Sequence, residues 1–550
     1  MSEHETELRV WPVGTMALVK PMLDLLGLAQ IVDETCPMAE QGDLSHGQVA
    51  EALVCNRFTS PRPFYRVKEW AEERRTDLVL GIPPEKLYDN RLGRALDAMF
   101  PHLSTLKGKV ALRAIQLFNL SLSKLHHDAT SVSFYGAYEP TPEKGQGLRI
   151  VRGRSNDKLP DLKKLRLALF TLNDGGVPLW PYIADGDAHA STFTISHLEE
   201  MLGHIQVKDT IVIHDREAFS ETNICALERH HLGYVVAVPF NRFLKEAYPS
   251  ASEMKDKVIA EVPYVSGRDA AKPPEQRARY YVWREEISFR DPETGETYSA
   301  TRLYIRNTAK MHHDQAQRQK HVAAVQQKLE RIAGLLNRYD YTVANRDQVW
   351  QRIQRVLRQA GGKYFLVHLA VEGEGESARL VMQVALDHRR MAQDGRLDGL
   401  HIEQTNLLRQ GYSLLEVLTT YKEQYHAEFS FRDLQGPLAV SPIFLHTPER
   451  IQVLLFLIVV ALMIYVLLAR EVRRALAGGA FLDWPLVTAR RVVEAFHSLG
   501  LVGEQVAAGR WHLRLTTLTP AQQGLLRLLK FPEPGTYVRT GLVALMPAGP

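Results

Sequence analysis

Residues 451–469, IQVLLFLIVVALMIYVLLA, constrain the fold more than any other stretch of this sequence. As a helix the run would be long enough to cross a bilayer, and only Gln452 and Tyr465 interrupt it. Two placements satisfy so apolar a helix: a membrane, or the middle of a large core where every face is covered. Arg470, Arg473 and Arg474 follow directly, and no second such run occurs in a chain otherwise full of charged helices. A lone span this far along would be odd for a membrane protein, so the expectation is a buried core helix and no membrane partner. The first ten residues, MSEHETELRV, are charged and carry no apolar centre, so no signal peptide is expected.

A core of that kind needs a large domain around it, and 550 residues imply several domains or one with insertions. The 67 Lys+Arg exceed the 63 Asp+Glu by only four, which permits nucleic-acid binding without demanding it. Cys36, Cys55 and Cys225 lie far apart with no CxxC pair, which argues against a zinc ribbon or disulfide framework and fits a reducing cytoplasm.

Residues 1–120 read as a helical domain. LSHGQVAEALVCNRF places Ser45 three residues before Gln48, a capping box that starts a helix. After TSPRP, Pro63 suits the first turn of a second helix carrying Phe64, Val67 and Trp70 on one stripe. With Arg57, Arg62, Arg66 and Lys68 nearby, this pair reads either as a DNA-binding helix pair or as a bundle with a solvated basic face.

From 121 to 240 the pattern becomes α/β. KLHHDATSVSFYG alternates like a strand, and residues 149–153 form a short one. Residues 165–171 and 177–183 flank NDGG as a hairpin, a helix covers 192–202, and DTIVIHD is a strand ending at Asp215. A helix at 220–230 and a strand at 234–239 follow. Three strands, helix, strand, helix, strand implies a mixed sheet flanked by helices. Residues 241–405 interrupt it as a β-rich insertion, with a hairpin around DPETGE, a helix bearing Val322, Val325, Leu329 and Ile332, and strands near 363–371 and 378–386. The core resumes over 406–475, with one helix expected at 413–435, and a polar tail covers 476–550, with a helix near 485–498.

Three carboxylates stand out. Asp128 lies in the middle of the first strand, where an unpaired charge is costly. Asp215 ends a later strand, at the edge where α/β sheets bind ligands. Glu428 sits in TYKEQYHAEFSFRDLQ, where helical spacing sets Tyr421, Gln424, Glu428 and Arg432 on one side, with Gln435 a turn beyond. Asp215 capping the helix after it and Glu428 pairing with Arg432 are the ordinary alternatives. If the two strands are neighbours, the Asp side chains converge, and three converging carboxylates need divalent cations to stay ionised together. Hard oxygen donors suit Mg²⁺ or Mn²⁺, and two such ions would clamp a phosphodiester. His126 and His127 invite a zinc reading, but no other His falls at ligand spacing in sequence. No GxxxxGK[ST] loop is present, which argues against an ATPase.

Several ordered stretches together resemble the DDE transposases of bacterial insertion sequences. HHDATSVSFYG resembles the first-Asp strand, GRSNDKLPDLKKLRLAL with VPLWPYIADGDAHASTF the strands after it, IVIHDREAFS the second-Asp motif, and DGLHIEQTN with TYKEQYHAEFSFRDLQ the third-acid helix. HTPERIQVLLFLIVVALMIYVLLA resembles the buried helix that closes that fold. The resemblance covers roughly residues 40–475 and implies a ribonuclease-H-like α/β sheet with Asp128, Asp215 and Glu428 as catalytic metal ligands for two Mg²⁺ or Mn²⁺ ions. The family's Tyr-Arg-Glu-Lys helix signature matches at Tyr421 and Glu428, while Gln424 replaces the Arg and Gln435 the Lys. It further implies DNA contacts by Tyr421, Gln424, Arg432 and Gln435, and by Arg62, Arg66 and Lys68 in the N-terminal domain, which family members use to bind the inverted repeats ending their element. A basic run, Arg152, Arg154, Lys158, Lys163 and Lys164, reads equally as a phosphate track or a solvated loop. The expected partners are terminal inverted repeats and target DNA, held by a homodimer. The rival readings are a DNA-end-binding protein disabled by the two Gln replacements, a stand-alone nuclease, and a membrane-anchored protein.

Overall fold

The computed structural model describes residues 7–38, 44–139, 141–143, 147–153, 161–240, 248, 257, 259–484, 486–507 and 509–544. The chain is mixed α/β and forms two compact units, Met1–Tyr234 with Thr420–Pro550, and Val235–Thr419.

In the first unit the apolar run becomes a helix over Pro448–Ala477, begun by Pro448 at its first turn, where a missing N–H costs nothing. Its most apolar window is 94% buried inside the protein, so its length and composition mark a core helix. It packs on helices His46–Thr59, Asp89–Met99 and Pro520–Leu529, on strand Pro178–Asp185 and on helix Tyr425–Gln435. Each Leu, Ile or Val it buries contributes ~1.5–3 kcal/mol, so this one element organises the unit.

The N-terminal helices surround it. Ser45 and Gln48 make both halves of the capping box ahead of His46–Thr59. Gly47 lies so close to the neighbouring helix Leu28–Thr35 that a Cβ there would stand 2.2 Å from the Ala29 carbonyl oxygen. The second helix of the pair begins as a tight turn at Phe64–Arg66 and continues over Val67–Arg74, burying Phe64, Val67 and Trp70. Two expectations are corrected here. The N-terminal region is not purely helical, because Leu8–Trp11 is a strand pairing antiparallel with Leu501–Ala507. The tail is not an appendage, because Leu501–Ala507, Arg510–Leu515 and Gly541–Ala544 complete that sheet, with Trp11 and Trp511 edge to face at 5.5 Å.

The main sheet of this unit centres on Lys124–Phe134, which pairs antiparallel with Lys163–Leu172 on one side and parallel with Ile211–His214 on the other. Pro178–Asp185 pairs antiparallel with Lys163–Leu172 across the turn Asn173–Gly176, where Gly175 and Gly176 take φ of 77° and 76°. Arg470 of the long helix grips that turn through two bonds to Asp174, at 2.8 and 2.6 Å. Gly233–Ala237 lies beside Ile211–His214, and the boundary between the units falls within it.

The second unit is a mixed insertion, not a β-rich one. Strands Tyr280–Arg290 and Thr297–Asn307 form the expected hairpin, flanked by Ala260–Val262 and Leu400–Thr405. On helix Thr308–Leu335 the stripe of Val322, Val325, Leu329 and Ile332 forms a core with Val349, Ile353 and the hairpin Phe365–Glu372/Arg379–Leu386.

Candidate functional site

Strand register places the first two carboxylates. The parallel pairing runs from Lys124 opposite Ile211 to His127 opposite His214, so the next step sets Asp128 beside Asp215. Neighbouring strands lie ~4.8 Å apart, which makes these side chains near neighbours. Alternation then gives the strand two faces: His126, Asp128 and Thr130 on one, His127 and Ala129 on the other.

The first face carries helix Tyr425–Gln435, and three contacts climb strand and helix together. His126 meets Gln424, Asp128 faces Glu428 across the cleft, and Thr130 Oγ1 accepts from Gln435 Nε2 at 3.3 Å. A two-residue step on the strand rises ~6.6 Å, close to the ~6 Å from Gln424 to Glu428, whereas the seven residues from Glu428 to Gln435 rise ~10.5 Å, so only the first step is closely matched. Asp128, Asp215, Glu217, Glu428, Arg432 and Gln435 are among the residues lining one open cleft of about 450 Å³.

Inside that cleft each Asp is oriented by the backbone. Asp128 Oδ1 accepts from the Ala129 N–H at 2.8 Å, and Asp215 Oδ1 from the Glu217 N–H at 2.9 Å. Burial, then Asp215, then Glu428 and Glu217 push the Asp128 carboxyl up to about 7, and burial raises Asp215 as well. Four carboxylates facing one opening make a hard, oxygen-only donor set, the chemistry that fits Mg²⁺ or Mn²⁺. Among the described residues no group of three or more His, Cys, Asp or Glu side chains is placed so that it could hold a metal ion as it stands. Mutual repulsion between uncompensated carboxylates gives a physical reason for an open arrangement.

The expected continuous helix at 413–435 is two helices, Leu414–Lys422 and Tyr425–Gln435. Between them the N–H groups of Gln424, His426 and Ala427 reach back three residues, tightening the chain. Side-chain anchors hold the break: Glu423 pairs with Lys124 at 2.7 Å, and Gln424 is drawn into the protein. Gln424 Nε2 donates to the His127 carbonyl at 3.0 Å, its Oε1 lies 3.0 Å from His126 Nδ1, and His126 Nε2 lies 3.1 Å from Asn173 Oδ1. The shared face expected for Tyr421, Gln424 and Glu428 is therefore corrected: Gln424 is buried, and Tyr421 is half-buried on the preceding helix with Lys422 5.9 Å from its ring centroid. Arg432 and Gln435 do line the cleft. The Arg432 guanidinium lies 4.4 Å from the Phe429 ring centroid, and it pairs with Asp433 at 3.9 Å instead of Glu428.

The other basic residues are largely engaged. Arg62 pairs with Glu73, Arg66 with Glu69 and Lys68 with Glu72, at 3.6, 2.7 and 3.7 Å, so acids of the same region offset this basic face. Lys163 pairs with Glu139 at 2.7 Å, and Lys164 is buried in the sheet, not exposed on a loop. Arg154 and Lys158 lie outside the described residues.

Two features escaped the sequence reading. Glu217 joins the cleft, held at 2.7 Å by Arg166, whose Nη1 also reaches Ser131. On the opposite face of the strand, His127, His197 and His214 cluster in the interior. His197 Nε2 donates to the Trp180 carbonyl, which leaves its Nδ1 to accept from His127 Nε2, both at 3.1 Å. The His214 ring stands 4.8 Å from His127, and burial drives all three imidazoles below their ordinary value, His214 to about 3. They are neutral packing groups drawn from three separate elements, beyond the reach of a spacing rule.

A family model described as a domain of unknown function (DUF4277) matches residues 9–106. No curated protein matches the chain. Among solved structures, a cryo-EM piggyBac transposase synaptic complex with hairpin DNA is similar at 10% identity and a TM-score of 0.26. That match covers 53% of this chain and 63% of the other, under two thirds of its length.

Proposed function

We propose that this chain is a DDE transposase, cutting DNA at the ends of an insertion sequence and joining them to target DNA. One observation carries the reading: a parallel strand register brings Asp128 beside Asp215, and the helix above the same face adds Glu428 to their cleft. The strand arrangement supports a ribonuclease-H-like sheet, with antiparallel strands leading to Lys124–Phe134 and a parallel one beside it.

Asp128, Asp215 and Glu428 would hold the Mg²⁺ or Mn²⁺ ions, with Glu217 beside them. Bound there, such ions supply Lewis acidity and a nucleophile from water or a 3′-hydroxyl. The chain's own work is positional. The Ala129 and Glu217 amides aim the Asp carboxylates, Arg166 holds Glu217, and Arg432 and Gln435 line the side of the cleft that a phosphate backbone would follow. Inverted repeats, target DNA, a homodimer on DNA and the cytoplasm are the partners and place this function implies.

Gln424, buried against His126, offers no open phosphate contact, so the reading of an end-binding protein disabled at Gln424 and Gln435 stands as the alternative. The test is a linear duplex carrying the gene's own flanks, incubated with Mn²⁺ or Mg²⁺. Nicking at a defined end followed by strand joining, both lost in Asp215→Asn, is expected. Cleavage without joining would favour a nuclease. Binding that survives chelation, with no cleavage under any metal, would overturn catalysis and leave the end-binding reading.

A further inference from the structure

A second cavity, of about 360 Å³, opens beside the long helix. Arg57 and Tyr465 reach it from the protein interior, Phe58, Pro61, Pro437, Leu438 and Val493 wall it, and Arg490, Glu494 and His497 stand at its exposed rim. Its size falls at the lower end of the range for small-molecule sites.

Arg57 is the unusual member. It is 7% exposed, its Nε–H finds no acceptor, and its Nη1 makes a long bond, 3.4 Å, to the Ala439 carbonyl. No carboxylate among the described residues pairs with it, and burial alone lowers the guanidinium to about 10. A buried charge without a partner is destabilising by several kcal/mol. Tyr465 is 1% exposed, and its hydroxyl is also without a partner, on a helix otherwise buried for its apolarity. At the rim Arg490 bonds Glu494 at 2.7 Å, so these two charges offset each other; the Asp433 and Glu494 carboxylates act on the Tyr465 hydroxyl, while Arg57 itself has no carboxylate partner among the described residues.

We infer that this cavity binds a nucleotide, its phosphate taken by Arg57 and Tyr465 and its base and sugar laid against the wall of Phe58, the prolines, Leu438 and Val493. The ligand brings the counter-charge that the fold withholds from Arg57. Arg57 and Tyr465 both donate from the interior side, and a phosphate, with more acceptor oxygens than a planar carboxylate, can take both. The apolar walls offer nothing to a bare inorganic anion. The same chemistry is carried by a free nucleotide and by a nucleotide of a DNA strand.

The test is calorimetric titration with dAMP, in EDTA so that the carboxylate cleft holds no metal, against deoxyadenosine, inorganic phosphate and a short 5′-phosphorylated single strand. The expected result is dAMP binding at least tenfold tighter than either fragment, lost by tenfold or more in Arg57→Met and several-fold in Tyr465→Phe. Arg57→Met should also melt no lower than the parent without ligand, because it removes an unpaired buried charge. Tighter binding of the strand than of dAMP, with the same Arg57 dependence, assigns the site to DNA; the reverse assigns it to a free nucleotide. If Arg57→Met does not fold, Tyr465→Phe decides. No dAMP binding by the parent protein, or equal binding by parent and variant, overturns the proposal. Cleavage at the carboxylate cleft is scored separately and stands or falls without it.

Discussion

Replacing Gln424 with Ala removes one amide and strands two buried partners. The His127 carbonyl loses the Nε2 donor and His126 Nδ1 loses the Oε1 oxygen, each at 3.0 Å. A buried polar group left without its partner costs about 1–3 kcal/mol, so two give a loss on the order of 2–6 kcal/mol. Water entering the vacated volume would hold the loss near the lower figure. Ala427, Phe431 and Leu434 remain buried beneath the helix, so global folding survives while the Glu428 end of the helix loosens. Urea unfolding measures the first effect, and amide exchange over residues 425–435 measures the second. Gln424→Arg should do no better than Ala, because it sets a cation in a buried site beside His126. A Gln424→Ala loss under about 0.5 kcal/mol, with unchanged exchange over that helix, would refute the docking role. So would a Gln424→Arg protein as stable as the parent.

Three further outcomes follow from the same geometry. Glu51 is 6% exposed and burial pushes its carboxyl up to about 7, from an ordinary value near 4.5. The folded state therefore holds more protons than the unfolded one between those values, and stability falls as pH rises through that window, by up to ~3 kcal/mol. Urea titrations from pH 4.5 to 8 should show that slope in the parent and a flatter one in Glu51→Gln. Asp128→Asn should gain ~1–3 kcal/mol at pH 8 without divalent metal, by removing one of four crowded carboxylates, while losing DNA cleavage. Gly47→Ala should cost ~2–4 kcal/mol in the same assay, because its Cβ would drive apart helices that meet at the Ala29 carbonyl.

Much of the fold was legible because local chemistry agrees with it. The Ser45–Gln48 box, the paired glycines of the Asn173–Gly176 turn and the alternation around Asp128 each demand one conformation, and each is found. The apolar run was legible as a core helix because a solitary span had nothing to accompany it. The parts not legible depend on pairing across long separations. Leu8–Trp11 carries too short a pattern to announce a partner near residue 504, and three histidines spread from 127 to 214 meet only once the sheet forms. The break at Glu423–Gln424 was missed because helical periodicity runs straight through it. The anchors that hold it, Lys124 and His126, belong to a strand almost 300 residues earlier. Glu217 stood two residues beyond Asp215 in plain view, but only Arg166 on a neighbouring strand holds it to the cleft.

The proposed function requires Asp128, Asp215 and Glu428 to act as one metal-binding set. Mn²⁺ titration followed by electron paramagnetic resonance, on the parent and on Asp128→Asn, Asp215→Asn and Glu428→Gln, tests it most directly. Bound Mn²⁺ is expected in the parent and at least tenfold weaker binding in all three variants, each still folded by circular dichroism. Parent-like Mn²⁺ binding by Glu428→Gln, or by either Asp variant, would contradict it.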